Sequence, residues 1–345
     1  MNRDPKQLAI RAGVFVVVAA ILLYLPQYFP SFQVTRLNQV LCFAIAALGL
    51  NLLTGFNGQI SVGHGAFFGV GAYTSVILVA DHGWPFVGAF AAAAVLAFVL
   101  GVLIGLPALR IEGLYLALVT LALATVFPFV VTRFSDITGG SQGKRIPRKD
   151  EFTAPDWTGL DNDQWRYYVL LGCAAVAFLL VRNLIRSRAG RAIISIRDNE
   201  TAAETLGVNV AGYKVVTFGV SAMLAGLAGA LSTINNPFVS AEQFNINLSI
   251  TLLVAVVVGG AATIFGPAIG ALLVVFLPVW LEDFDAPPEL SPVIFGGSLI
   301  LLMIVAPGGI LGLARHVQAW VKRRTGPPSQ APPPVDTGEP LASTA

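Results

Sequence analysis

The chain contains the segment GLNLLTGFNGQISVGHGAFFGVGAY at residues 49–73, where seven glycines and several polar side chains interrupt a largely apolar sequence. A glycine inside a helix costs roughly 1 kcal/mol relative to alanine, so a simple helix is not expected here. Non-helical backbone is tolerated at membrane depth only where protein or water covers it. We therefore predict a broken helix beside a translocation path. Tight helix packing through small residues is the alternative.

The composition around this segment is that of a membrane protein. Of the 345 residues, 55% are hydrophobic and 12% are charged, and the mean hydropathy is +0.75. A transmembrane helix needs roughly 20 mostly apolar residues. Ten such runs occur, at about 8–25, 36–54, 60–80, 85–108, 113–132, 165–182, 214–233, 246–259, 264–281 and 292–312. The predicted fold class is an all-α polytopic membrane protein with about ten transmembrane helices and glycine-rich helix breaks.

Charge predicts the orientation of these spans. With ten spans and the N-terminus in the cytoplasm, 14 of the 21 lysines and arginines lie on the cytoplasmic side, as the positive-inside rule favours. Both termini are then cytoplasmic. Gly259 and Gly260 interrupt residues 246–281, which leaves three alternatives open: one kinked helix, two spans or a re-entrant pair.

The chain divides into one transmembrane domain and a tail. The predicted domain is 1–313. It contains an outside loop at 134–164, which contacts an extracytoplasmic partner or substrate or is simply solvated, and a cytoplasmic loop at 183–213. Residues 314–345 are first basic and then rich in proline, which predicts a disordered cytoplasmic tail.

Several function classes are disfavoured by what the sequence lacks. Carriers driven by protons or sodium usually keep relays of acidic or histidine residues at mid-membrane; charged residues are nearly absent from the predicted spans, which weighs against such a carrier. The pair Gly143-Lys144 lacks the glycine spacing of a phosphate-binding loop. No catalytic or metal-ligand constellation occurs, and no basic pattern suited to nucleic acid. The energy for transport is therefore expected to come from another chain.

The polar and glycine residues of two interruptions are candidates for the translocation path. The glycine spacing of the first interruption recurs in the second, as Gly58, Gly65, Gly69 and Gly259, Gly266, Gly270. Paired interruptions can indicate a binding site between repeats. Halves of five spans would be inverted, but these two segments run in the same direction. Whether the halves are internal repeats is therefore left undecided. His64 is either a path residue or, as we favour, a hydrogen-bonded core residue. The candidates are Asn51, Thr54, Asn57, Gln59, Ser61, His64, Gly65, Gly259, Gly260 and Gly266.

Four segments resemble one known family, in order and with natural spacing. They are GLNLLTGFNGQISVGHGAFFGVGAYT (49–74), LRIEGLYLALVTLA (109–122), RAGRAIISIRDNETAAETLGVNVAGYKVVTFGVSAMLAGLAGAL (188–231) and VVGGAATIFGPAIGALLV (257–274). The family is the LivM-type permease of branched-chain amino-acid ABC importers, and the resemblance covers about 37–313. It implies a multi-pass protein of the bacterial inner membrane. It also implies four kinds of contact: a second homologous permease, two cytoplasmic ATPase subunits, a periplasmic substrate-binding protein and the lipid bilayer.

The resemblance also assigns a role to part of the charged island 182–214. In such importers a short cytoplasmic helix of the permease docks in a cleft of the ATPase. The matching coupling residues are Asn199, Glu200, Ala202, Ala203, Glu204, Leu206 and Gly207. Helical spacing predicts that Ala202, Ala203 and Leu206 share one apolar face. Glu200 and Glu204 would lie on another face, and Gly207 would end the helix. An amphipathic helix lying on anionic lipid is the alternative.

The function predicted from the resemblance is ATP-driven import of branched-chain or other amino acids. The chain itself is expected to be a transport subunit and not an enzyme. No cofactor is expected in it, since ATP and magnesium would bind the ATPase partners. Two alternatives remain: a related importer for urea, amides or aromatic acids, and an ATP-independent channel or facilitator. A membrane-embedded enzyme is disfavoured by the missing catalytic constellation.

Overall fold

The computed structural model describes residues 5–109, 113–282, 296–297 and 309–312. Its helices are α1 (Pro5–Tyr28), α2 (Ser31–Asn51), α3 (His64–His82), α4 (Phe86–Ala108), α5 (Leu114–Arg133), α6 (Ser135–Thr138), α7 (Asn162–Arg186), α8 (Arg188–Asp198), α9 (Glu200–Thr205), α10 (Val210–Asn235), α11 (Ile246–Gly259) and α12 (Gly266–Glu282). Two short antiparallel strands are β1 (Lys144–Arg145) and β2 (Phe238–Val239). Most of the predicted span 292–312 and the whole predicted tail 314–345 lie outside the described residues.

Within the described residues, five helices are long and apolar enough to cross a membrane, judged by length and composition. They are Ser31–Phe56, Phe86–Pro107, Tyr115–Arg133, Asn162–Arg186 and Val210–Asn235. Ile246–Gly259 and Gly266–Trp280 are shorter apolar helices. The mostly helical fold is therefore confirmed and is consistent with a polytopic membrane protein. The number of spans stays a prediction.

The core of the fold lies around α2 and α10. Helix α10 packs against α2, α3 and α4, and α2 also packs against α7 and α12. Both central helices are mostly buried, whereas α4, α5 and α7 expose large apolar side chains such as Val95, Leu118 and Leu180. Exposed apolar faces on the outer helices suit contact with lipid.

Glycines allow the central helices to cross at backbone distance. A Cβ atom at Gly71 would overlap the carbonyl oxygen of Gly226 in α10, and one at Gly229 would overlap that of Phe68 in α3. Interfaces between helices in membranes are enriched in small residues because these let two backbones approach closely. The close contact of α3 with α10 therefore requires glycine at these positions, because a side chain would overlap the facing backbone.

Helices α11 and α12 form an antiparallel hairpin. Gly259 lies against Gly266, and Gly270 lies against Ala255, so the facing positions run in opposite directions. The turn contains two residues with positive φ, Gly260 at 114° and Ala262 at 57°. Residues 246–281 are therefore not one kinked helix. The hairpin has 14 residues in α11 and 17 in α12.

The two long loops lie at opposite ends of α3. At the C-terminal end of α3, Asp81 pairs with Lys144 of the 134–164 loop. That loop is folded, because Ile146 is fully buried and its N–H donates to the carbonyl of Pro237 at 2.9 Å. Near the N-terminal end of α3, the loop 187–209 packs against residues 55–59 through Arg197.

We predict that Gly71→Ala destabilises the protein. The added methyl group would meet backbone atoms of Gly226, which cannot move aside as a flexible side chain can. Overpacking of this kind costs about 1–3 kcal/mol. The measurement is the temperature at which the detergent-solubilised protein loses its monodisperse peak in size-exclusion chromatography.

Gly172→Ala is the matched control for that change. Gly172 also lies inside a helix, but nothing lies within 4 Å of a Cβ built there. Its melting temperature should equal that of the native chain or rise slightly. Equal behaviour of the two variants would contradict the close crossing of α3 and α10.

Candidate functional site

The first interruption is a real break in the helix. Helix α2 continues as a π-helical turn, Leu52–Phe56, and the chain is then non-helical until α3 begins at His64. Gly58 has φ of 77°, a conformation that glycine adopts without steric cost. A Cβ at Gly55 would overlap the side-chain oxygen of Asn51. The break therefore requires glycine at these two positions.

Asn51 joins the first break to the second. Its Nδ2 donates to the carbonyl of Thr263 at 2.7 Å, and its Oδ1 accepts from the N–H of Ala262 at 2.9 Å. Both partners lie in the turn of the α11–α12 hairpin, and Asn51 is fully buried. One amide thus satisfies a donor and an acceptor that the non-helical turn leaves without helical partners.

Thr263 completes the second break. Its hydroxyl donates to the carbonyl of Gly260 at 2.6 Å and accepts from the N–H of Gly266 at 3.1 Å. The candidate residues Gly259, Gly260 and Gly266 therefore form one compact turn. The structure places this turn in contact with Asn51, so the candidate residues of the two breaks lie close together.

His64 is a hydrogen-bonded core residue. It is 1% exposed, and its Nε2 lies 2.6 Å from the hydroxyl of Ser221 in α10. That hydroxyl donates to the carbonyl of Gly49 at 2.5 Å, so it accepts from Nε2–H of His64. The Nδ1 atom is then free to accept from the hydroxyl of Ser61, 3.2 Å away. Both ring nitrogens are satisfied by neutral partners.

Two further hydroxyl groups hold the start of α3. The N–H of Gly65 donates to the hydroxyl of Ser249 in α11 at 2.9 Å. The N–H of Val62 donates to the hydroxyl of Thr120 in α5 at 3.0 Å. The backbone on either side of His64 is therefore satisfied by side chains from two other helices.

The remaining path candidates make fewer polar contacts. The hydroxyl of Thr54 and both amide atoms of Asn57 are buried and have no hydrogen-bond partner within the described part of the chain. The amide of Gln59 donates to the carbonyl of Lys214 at 3.5 Å. Asn57 and Gln59 line a cavity of about 440 Å³ that also borders the end of α8 and the start of α10.

The predicted coupling segment forms α9 and is fixed at its base. The side chain of Asn199 caps the helix by accepting from the N–H of Ala202 at 2.9 Å. Glu200 pairs with the Lys214 ammonium at 2.5 Å, which ties α9 to α10. Gly207 follows the helix with φ of 83°, as expected for a glycine that ends a helix.

One residue of the predicted apolar face is buried. Ala203 is 2% exposed, whereas Leu206 is 82% exposed and Ala202 is also exposed. The predicted face is divided by burial: Ala203 lies at its edge, about 100° around the helix from Ala202, and is covered by the rest of the protein. Ala203 packs inward, and Ala202 and Leu206 form the outer apolar face. Glu204 is exposed beside them.

Several residues of the site were missed by reasoning from the sequence. Ser221, Ser249 and Thr120 each place a hydroxyl on the first break from distant parts of the chain, and Thr263 bonds within the second break. Their signal in the sequence is a small polar residue inside an apolar span, which is weak because such residues also bond within their own helix. Arg197 belongs to the charged island, but no local pattern places it against the break.

Comparison with known proteins gives a consistent result. A family model described as the permease component of the branched-chain amino acid transport system matches residues 33–303. The LivM permease protein of the high-affinity branched-chain amino acid transport system of Escherichia coli K12 is 32% identical, over 79% of this chain and 68% of LivM. LivM of Salmonella typhimurium LT2 is 31% identical, over 81% and 69%. The LivH permease protein of E. coli K12 is 27% identical, over 78% of this chain and 91% of LivH. No solved structure matches the chain.

We predict that His64→Ala destabilises the protein. The change removes the ring that joins Ser61 to Ser221 and leaves buried hydroxyl groups with fewer partners. A buried polar group that loses its partner costs about 1–3 kcal/mol. The melting temperature of the solubilised protein should fall, and uptake should fall only as far as the amount of folded protein does.

His82→Ala is the control, because His82 is an exposed histidine at the opposite end of α3. It should leave the melting temperature unchanged. A His64→Ala protein that melts like the native chain but does not transport would contradict the core role and assign His64 to the path.

Proposed function

The chain belongs to the family of permease components of branched-chain amino acid transport systems, and we propose that it is one of two related permeases in an ATP-driven importer of leucine, isoleucine and valine. As a member of that family it is a transport subunit and not an enzyme. Two kinds of permease protein, LivM and LivH, are among its relatives. A pairing of this chain with a homologous permease is supported by that observation.

The observation that carries the proposal is the outer face of α9. Leu206 is 82% exposed on a helix whose base is fixed by a cap and by the ion pair of Glu200 with Lys214. A short anchored helix with apolar side chains turned outward suits insertion into a groove of a partner. The chain has no phosphate-binding loop, so the proposed partner is an ATPase subunit that supplies ATP and magnesium.

The proposed membrane arrangement has ten spans and both termini in the cytoplasm. Arg182, Arg186, Arg188 and Arg191 lie at the end of the protein that carries α9, and the positive-inside rule places such clusters in the cytoplasm. The folded 134–164 loop then faces the periplasm. There it is available to a substrate-binding protein.

The proposed mechanism is alternating access across the bacterial inner membrane. The binding protein would deliver the amino acid at the loop end, and closure of the ATPase pair on ATP would move α9. The two helix breaks are the places where the spans can rearrange at small cost, because no continuous series of helical hydrogen bonds crosses them. Between rearrangements, side chains hold the backbone of each break. The residues of both breaks are the proposed lining of the path, together with Thr54 and Asn57, whose side chains have no hydrogen-bond partner among the described residues.

An ATP-independent channel is the competing function. It would use the same breaks as a pore but would not need an exposed apolar helix at the cytoplasmic end. Uptake into vesicles with and without internal ATP separates the two. Competition of uptake by leucine against urea, amides and aromatic acids identifies the substrate class.

We predict that Leu206→Glu abolishes retention of the ATPase. A charge placed at the centre of the proposed apolar contact would be buried without a partner, which proteins avoid because of its desolvation cost. Ala202→Glu should act in the same way, since Ala202 lies on the same face. The measurement is co-purification of the ATPase with the tagged permease in detergent.

Trp157→Glu is the matched control. Trp157 is also 82% exposed, but it lies in the loop at the opposite end of the protein. This variant should retain the ATPase as the native chain does. Retention of the ATPase by both Leu206→Glu and Ala202→Glu would show that α9 is not the docking element.

We further predict opposite labelling of the two ends in intact cells. A membrane-impermeant maleimide should label Trp157→Cys from outside after the outer membrane is permeabilised. Leu206→Cys should react only once the inner membrane is opened. The native thiols give little background, because Cys42 is buried and Cys173 lies within α7. The reverse pattern would overturn the proposed orientation.

A further inference from the structure

Arg197 connects the coupling segment to the first helix break. It lies at the end of α8, two residues before the cap of α9. Its Nη1 donates to the carbonyl of Gly55 at 3.2 Å. Carbonyl groups in the last turn of a helix lack partners within that helix, so this bond satisfies an acceptor that the break creates.

The same guanidinium is held by its neighbour. Nε and Nη2 both donate to Oδ1 of Asp198, at 3.0 Å and 2.7 Å. The guanidinium is planar and presents its donors in fixed directions, so holding one edge orients the other. A shift of Asp198 therefore shifts the atom that holds the Gly55 carbonyl.

Steric contact adds to this bond. The Cγ atom of Arg197 would lie 2.9 Å from a Cβ built at Gly58, and its Cα would lie 3.5 Å away. The end of α8 thus rests directly on the backbone of the break. A second connection runs nearby, because Gln59 bonds the carbonyl of Lys214, whose ammonium pairs with Glu200 in α9.

The first break is in turn connected to the second. Gly55 is packed against Asn51, and Asn51 bonds both Ala262 and Thr263 in the turn of the α11–α12 hairpin. An unbroken series of hydrogen bonds and close contacts therefore joins α9 to both breaks. Closely packed elements of this kind move between discrete arrangements and do not deform gradually.

We propose that Arg197 is a positioning residue that transmits movement of α9 to the first break, and that Asn51 transmits it to the second, so that the two breaks rearrange together. This rests on the proposed function, in which an ATPase moves α9. The structure assigns the linkage to Arg197 because its side chain contacts both the residue before the cap of α9 and the backbone of the break.

The test compares Arg197→Gln with Arg191→Gln. Arg191 is an exposed arginine of the same helix, and its side chain makes no hydrogen bond or ion pair to the rest of the described chain. Each variant is assembled with its ATPase and second permease and reconstituted with the binding protein in liposomes. The quantity measured is the number of substrate molecules imported per ATP hydrolysed.

Arg197→Gln should retain the ATPase but import at least about fivefold less substrate per ATP, the lower end of typical coupling between sites. Arg191→Gln should match the native chain. Arg197→Lys keeps the charge but lacks the planar guanidinium, so its import per ATP should fall as that of Arg197→Gln does. Full coupling in Arg197→Gln or in Arg197→Lys would overturn the proposal, and so would an equal loss in Arg191→Gln.

Hydrogen exchange gives a readout that a purely structural role would not change. In the native complex, trapping the ATPase in its ATP-bound form should alter amide exchange in residues 52–63 and in 260–266. In Arg197→Gln neither segment should respond, and in Asn51→Ala only the first should. If amide exchange of both segments changed in Arg197→Gln as it does in the native complex, the proposal would be overturned. Failure of the native chain to bind any ATPase would instead overturn the proposed function.

Discussion

A helix that breaks inside a membrane exposes backbone donors and acceptors where no water can bind them. In this protein side chains from other helices meet that need. Asn51 serves the turn between α11 and α12, and Ser249 and Thr120 serve the start of α3. The breaks therefore have defined conformations. They also depend on helices far away in sequence, so a shift of one helix changes the support of another.

Close packing and hydrogen bonding depend on each other at the centre of the fold. The bond from Ser221 to the carbonyl of Gly49 requires α10 to approach α2 at backbone distance. A Cβ at Gly49 would lie 2.6 Å from the carbonyl oxygen of Ser221, so glycine makes the approach possible. Interhelical hydrogen bonds in membranes are individually modest. Their role here is to fix which parts of α2, α3 and α10 face one another.

The sequence predicted what depends on local composition. Apolar runs marked the helices, and the glycines of residues 49–73 marked the first break. The structure adds what depends on distant contacts: the hairpin direction of α11 and α12, the inward position of Ala203, and the bonds that reach His64 and Gly65. Helical spacing groups Ala202 with both Ala203 and Leu206. Only the packing of α9 on its neighbours decides which side is buried.

The contacts of α9 explain how such a short helix can hold a defined position. Six residues are too few for a stable helix in isolation, because nucleation is costly. The helical form therefore depends on the Asn199 cap, on burial of Ala203 and on the pairing of Glu200 with Lys214. These contacts join α9 to α10 and hold its base, while Leu206 stays exposed. In the proposed function, a partner bound to the exposed face would move α9 together with the helices that hold it, and these helices also support the breaks.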